Sequence, residues 1–261
     1  MLFAGPWVGE FGWELMHWQG FLRKLSRAYR KTVVCCPSGH EALYADFASE
    51  ILPHDLRGTA ECNVLRAIRN PEELDRIRRL IPAGADFLKP LGYQPFSRQE
   101  FIRFGKRGEA AADVLFHPRG RAFGTDRNWS VDRWRALLDI LRGRGLRLGC
   151  LGLRGATLDL EGDFLDLRDK PLSETLDLIA SAKAVIGPSS GPMHLASLCG
   201  TPHLVWTDKA QYARGRTNRE KYETWWNPLA TPVLVLDAHG FDPPPEAVAE
   251  GVSTLLPGTA A

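Results

Sequence analysis

No apolar run in this chain is long enough to cross a bilayer as a helix, so a membrane-spanning protein is not expected. Met1 leads straight into the first predicted strand, which leaves no place for a secretory leader, and a cytoplasmic location is the expectation. Cysteine is scarce. Cys35, Cys36, Cys62, Cys150 and Cys199 form no C-x-x-C pair, so neither a zinc site nor a disulfide framework is expected, and three of them fall in or beside apolar segments as reduced core residues would. Net charge is nearly absent: 33 Lys and Arg against 31 Asp and Glu leave +2, which implies no general polyanion binding and no nucleic-acid partner. No D-x-D stands near a predicted strand end, and Asp159-Leu160-Glu161 is a weak substitute, so no metal and no cofactor are expected. G-x-S-x-G and G-x-G-x-x-G are both missing, as are repeats and low-complexity tracts, which argues against a serine-hydrolase elbow and a dinucleotide fingerprint.

What is present is an ordinary globular composition, 44% hydrophobic and 25% charged over 261 residues, enough for one large domain or two small ones. The most informative stretch is Val185 to Trp206. Ala184 to Ile186 reads as the end of a buried strand that Gly187 and Pro188 break. Ser189, Ser190 or Gly191 can cap the next helix, and Pro192 suits its first turn, where a missing N–H costs nothing. Met193 to Cys199 is apolar nearly all round, as in a buried helix, and Gly200 with Pro202 ends it. His203 to Trp206 is a second short strand. Free N–H groups at such a helix start lie at the carboxyl end of a sheet, where α/β proteins bind anions, usually phosphate. His194, in the first turn, either donates to that phosphate or satisfies a helix carbonyl.

The chain opens β-α-β-α. Leu2 to Ala4 is a strand, Gly5 to Gly12 a glycine-rich turn, and a helix follows with Leu15, Trp18, Leu22 and Leu25 on one face. Arg23, Lys24, Arg27, Arg30 and Lys31 are either a solvated helix end or a patch for anionic lipid or an anionic acceptor. Thr32 to Cys36 reads as a strand, Glu41 to Leu52 as a helix and Pro71 to Leu80 as another; Gly105 to Gly108 reads as a linker. A second βα series starts at Asp113. Val114 to Phe116 is a strand ending in His117-Pro118-Arg119-Gly120-Arg121, then come Arg127-Asn128-Trp129-Ser130, a helix capped by Ser130, a strand at Leu146 to Leu151, and a helix through Leu172, Leu176 and Ile179. The expected division is into two α/β domains, 1–108 and 109–261.

Ser190-Gly191-Pro192-Met193-His194-Leu195-Ala196, then Leu198-Cys199-Gly200-Thr201-Pro202, resembles the donor-site motif of the family 9, heptosyltransferase-like glycosyltransferases. The likeness extends over about residues 113 to 206, with Arg119 where the family has the glycine of His-Pro-Gly and Arg127 where it has a lysine. After Trp206 the chain departs: Thr207-Asp208-Lys209 replaces a usual Gly-Pro turn, and Arg214, Arg216 and Arg219 follow in a polar loop.

The resemblance implies a GT-B-like α/β fold, two Rossmann-like parallel-sheet domains with a cleft between them, the first reduced in size, with 1–108 as the acceptor-side domain and 109–261 as the nucleotide-sugar donor domain. It implies inverting, metal-independent transfer from a nucleotide-sugar donor to a glycan or other hydroxyl acceptor, with weak peripheral membrane contact conceivable. Arg119, Arg127, Ser190, Gly191, Pro192, Met193 and His194 become the candidate phosphate residues. An aspartate usually stands where this chain has Ser189; that acid is expected to hold donor-sugar hydroxyls, so a neutral serine implies a donor other than heptose. A carboxylate in the turn after the first strand is expected to deprotonate the acceptor. Here that turn offers Glu10, directly after Gly9 and preferred, and Glu14, within the first turn of the helix, where capping and the dipole already explain a carboxylate. A sugar-nucleotide epimerase of the same fold, or a non-catalytic nucleotide- or glycan-binding module, stays as the alternative.

Overall fold

In the computed structural model the short apolar runs of the sequence become parallel strands in two compact units, Met1–Ile102 and Arg103–Ala261. The structure describes residues 1–212 and 215–256, so Arg214 lies outside it.

In unit one, β1 (Leu2–Ala4), β2 (Thr32–Pro37) and β3 (Glu50–His54) are followed by an antiparallel hairpin of β4 (Thr59–Glu61) and β5 (Val64–Arg66), and β6 (Asp86–Leu88) then returns to the sheet. The sheet order is β3-β2-β1-β6, all parallel. Strand order therefore reverses between β1 and β6, and the turn leaving β1 lies where an open α/β sheet has its ligand crevice. Residues 41–52 do not form the expected helix. Glu41–Leu43 is a single 3-10 turn and β3 follows, because the polar groups of this segment are drawn elsewhere: Tyr44 reaches Glu14 and Asp46 pairs with Arg23. The helix after β1 is present in three pieces, an α turn at Phe11–Trp13, a π-helical turn at Glu14–Trp18 and a regular helix at Gln19–Ser26. Leu15, Trp18 and Leu22 are buried as the stripe requires. Arg23 is not part of a solvated face: it is buried and holds Asp46, while Arg27 pairs with Glu100 and Lys31 with Glu50.

The change of unit falls at Ile102–Arg103, ahead of Gly105–Gly108. Those residues are fastened to unit two by Lys106 N–H to Asp177 and Gly108 N–H to Ser181 Oγ.

Unit two contains β7 (Val114–Phe116), β8 (Leu148–Cys150), β9 (Leu165–Asp166), β10 (Ala184–Pro188), β11 (His203–Trp206), a small hairpin of β12 (Gln211–Tyr212) and β13 (Arg216–Thr217), and β14 (Val233–Leu236). The main sheet runs β14-β11-β10-β7-β8-β9, all parallel. Pro188 continues β10 rather than breaking it, since β7 has already ended at Phe116 and no partner on that side needs its N–H. Helices at Val131–Gly143, Leu172–Ser181, Gly191–Cys199 and Pro245–Leu255 cover the sheet. Ser130 caps the first of them by accepting from Arg133 N–H at 3.3 Å. Trp129, Trp134 and Trp206 meet in its core with ring centroids 5.0 to 5.5 Å apart. The five cysteines are free, and all but Cys62 are buried. No helix among the described residues is long and apolar enough to cross a membrane.

Candidate functional site

The chain enters the unit-two sheet at β7, runs outward through β8 and β9, and returns to β10 on the other side of β7. The carboxyl ends of β7 and β10 therefore adjoin at the point where strand order reverses. One carries the Arg119–Arg127 loop and the other the Ser189–His194 turn.

The helix Gly191–Cys199 starts from an extended Ser190, whose hydroxyl donates to Pro188 O at 2.8 Å instead of capping the helix. Pro192 brings no N–H, and Met193 N–H is engaged by Ser190 O at 3.1 Å. Among the described residues Gly191 N–H has no backbone acceptor. Gly200 ends the helix with φ +73, the left-handed conformation expected of it.

Arg119 is buried and turned into its own loop. Its guanidinium donates to Gly124 O at 2.7 Å, to Phe123 O at 2.5 Å and to Asn128 Oδ1, and Asn128 in turn bonds the backbone of Arg121. Arg119 thus shapes the loop that presents Arg127. Burial, reinforced by Arg121 and Arg127, pushes the Arg119 guanidinium down to about 10, Asp126 opposing. Arg127 is half-buried, with its guanidinium 5.4 Å over the Phe241 ring. Arg133, Arg147, Arg168 and Arg219 of the same unit each hold a carboxylate; Arg119, Arg121 and Arg127 hold none among the described residues. Three like charges gathered at a sheet's switch point without an ion-pair partner among the described residues make a candidate anion site.

Behind this turn lies an aromatic group that the sequence did not announce. Ser189 Oγ accepts from Tyr222 OH at 2.9 Å. The His194 ring stacks on Tyr222 at 5.4 Å and meets Trp226 edge-on at 5.1 Å. Lys221 lies 5.4 Å over Trp226. Burial pushes the Tyr222 phenol far up, against the pull of the Ser189 hydroxyl, Arg127 and the Ser190 backbone, so it stays a neutral hydrogen-bond donor. Tyr222 is carried by a second π-helical turn, Lys221–Trp225. It lies in the part of the chain that departs from the family 9 pattern, which is why motif reading missed it.

In unit one the turn leaving β1 is packed tightly. A Cβ on Gly9 would stand 2.1 Å from Cys62 O, so only glycine fits, and Glu10 N–H donates to the same oxygen at 2.6 Å. The Glu10 side chain is half-buried and makes no cap bond. Glu14 is enclosed. Its carboxylate accepts from Tyr44 OH and from His40 Nδ1, each at 2.6 Å, so these partners, rather than a cap or the helix dipole, account for it. Burial alone would lower the proton affinity of His40; the charge and hydrogen bond of Glu14 outweigh it and Glu41 adds, so its pKa is raised. His40 follows Pro37-Ser38-Gly39 at the end of β2, and applying to that strand end the rule used for β1 would have found it.

No protein-family model matches the chain, and no curated protein does. Solved structures do. The heptosyltransferase II of E. coli lipopolysaccharide synthesis, named for ADP-heptose, is 16% identical over 98% of both chains with a TM-score of 0.57. A glycosyl transferase family 9 protein from Veillonella parvula DSM 2008 is 13% identical over 98% of this chain and 96% of its own, with a TM-score of 0.63. The fold is that of the family 9 glycosyltransferases. An E. coli heptosyltransferase solved with ADP agrees, at 12% identity, 97% and 99% coverage and a TM-score of 0.54. This heptosyltransferase-like, GT-B-like fold spans both units, so the likeness read from residues 113 to 206 extends to the first unit as well.

Proposed function

We propose that the protein is a glycosyltransferase that moves a sugar from a nucleoside diphosphate donor to a hydroxyl acceptor. The observation that carries this reading is the cluster of Arg119, Arg121 and Arg127, without a carboxylate partner among the described residues, beside the Gly191 N–H at the switch point of unit two. A leaving diphosphate needs that charge as its bond to the sugar breaks. Arg127 binds the phosphates directly, Arg119 holds the loop beneath it, and the Ser190–His194 turn supplies the remaining contacts, with Ser189 toward the donor sugar. Three of the structures with this fold are heptosyltransferases or family 9 proteins, one named for ADP-heptose and one solved with ADP, which supports a nucleotide sugar as donor class. Metal independence is read from the same charges, since arginines and a helix terminus do the work a divalent ion would do; inversion is the outcome of a single displacement in which the acceptor oxygen attacks the anomeric carbon opposite the leaving diphosphate. Deprotonation of the acceptor falls to the carboxylates of unit one, Glu10 directly or Glu14 through its partners.

A thermal-shift and calorimetry panel of ADP, UDP, GDP, dTDP and CMP tests the reading, because a bound ligand raises stability by mass action. One nucleoside diphosphate should stabilise the protein, and its sugar conjugate should be turned over with a glycan acceptor. Binding without transfer or isomerisation would leave a binding module.

A further inference from the structure

We propose that His40, held by the enclosed Glu14 carboxylate, is the group of unit one that takes the proton from the acceptor hydroxyl, with Glu14 as its positioning partner. The inference rests on the glycosyl-transfer reading above and decides between the two routes left open there. Glu14 is 0% exposed, so no acceptor touches it, and its two oxygens are taken by Tyr44 OH and His40 Nδ1. His40 is 28% exposed. With Nδ1 donating to the carboxylate, the neutral ring keeps its lone pair on Nε2, and Nε2 makes no hydrogen bond among the described residues. A buried carboxylate that fixes one nitrogen of a half-exposed imidazole is the arrangement by which a histidine is oriented as a base and its charged form stabilised.

The backbone places the pair deliberately. Glu14 opens the π-helical turn Glu14–Trp18, a widened turn of the kind found at functional sites. His40 leaves β2, the neighbour of β1, at the carboxyl end of the sheet, with the Phe11 ring 4.9 Å away. Among the described residues the acids acting on its charge are Glu14 and Glu41, and Tyr44 shares the Glu14 carboxylate with it. Burial opposes a proton on the ring and the two acids outweigh that, while Tyr44 is held neutral well above its usual range by burial and by Glu14.

In the step, the acceptor O–H bond breaks and its proton passes to His40 Nε2. The freed oxygen pair forms the bond to the anomeric carbon. The bond from that carbon to the diphosphate oxygen breaks, and its electron pair leaves with the nucleoside diphosphate. His40 returns the proton to water before the next turnover.

The 261-residue chain is assayed with ADP-heptose, UDP-glucose and GDP-mannose, using water and a set of methyl glycosides as acceptors. His40→Gln should lower kcat by roughly 10²–10⁴-fold while donor KM and ADP, UDP or GDP affinity stay within about twofold. Added imidazole should restore part of the turnover of His40→Ala. Glu14→Gln keeps shape but removes charge, so kcat falls and the acid limb of the kcat/KM profile moves to lower pH. A merely structural Glu14 would lower the melting temperature without moving that limb, and this result overturns the proposal. Normal transfer by His40→Gln, with Glu10→Gln inactive, gives the proton to Glu10 and overturns it while leaving the transfer reading intact. A wild-type chain that binds a nucleoside diphosphate and transfers no sugar to any acceptor overturns both.

Discussion

Tyr222 donates its hydroxyl to Ser189 Oγ across 2.9 Å, and both residues are buried. The serine oxygen thereby gives one lone pair to Tyr222 and keeps its own O–H as a donor. A carboxylate at this position would present only acceptors.

That difference bears on the donor. An acid that accepts from sugar hydroxyls is replaced by a neutral group that donates, so ADP-heptose should not be the best donor of this chain. Competition of nucleotide sugars for turnover measures it, and ordinary turnover with ADP-heptose as the preferred donor would defeat the argument. Tyr222→Phe leaves the Ser189 oxygen without its donor and should cost about 1 kcal/mol of stability, read from urea unfolding.

Arg127 and Arg119 should fail differently. Arg127→Ala removes a charged contact to phosphate and should weaken nucleoside diphosphate binding by roughly 1.5–3 kcal/mol with little change in stability. Arg119→Ala leaves Gly124 O, Phe123 O and Asn128 without their donor, so it should cost roughly 1–3 kcal/mol of stability and weaken binding through the loop. Because one residue acts through the other, the two losses should not add in calorimetry of the double variant. Unchanged affinity in Arg127→Ala would remove it from the site.

Turnover should survive EDTA. The sequence has no paired-carboxylate motif at a strand end, and in the proposed site Arg127, Arg121 and the helix start would meet the phosphate charge. Loss of activity on chelation, restored by Mg²⁺ or Mn²⁺, would contradict this.

Acid should destabilise the fold through His117 and His203. Burial pushes both imidazoles down from 6.5 to about 4, with Nδ1 donating to Leu151 O and Thr201 O. In that interval the unfolded chain binds protons on these rings that the folded chain does not, so their contribution is complete above the unfolded value and is lost as pH falls toward 4. His40, raised by Glu14, acts oppositely: its contribution is present below the unfolded value and lost as pH rises through the folded one. His203→Asn can keep the bond to Thr201 without titrating, so the fall in urea midpoint between about pH 7 and pH 5 should shrink. An unaltered fall would acquit His203.

The sequence by itself determined several local elements of the second unit. Period and punctuation there are local: Val114–Phe116, the Ser130 cap, His203–Trp206 and the Gly200 stop depend on neighbours a few residues away, and each formed as its residues require. The strand–turn–helix at Ser189–His194 was legible for the same reason, since a strand, a glycine and a proline-opened helix define it within one short segment. Tertiary structure decided what depends on distant partners. The segment 41–52 carries helix-like spacing, yet Tyr44 and Asp46 are claimed by Glu14 and Arg23 from another element, and β3 pairs with β2. Arg23 reads as a solvated cation until Asp46 is folded against it. Arg119 reads as a phosphate ligand until its loop closes around it. Glu14–His40 and Ser189–Tyr222 join residues 26 and 33 positions apart through widened helical turns. No periodicity records such pairs, because a buried polar group is satisfied by whichever partner the packed chain brings within hydrogen-bonding distance.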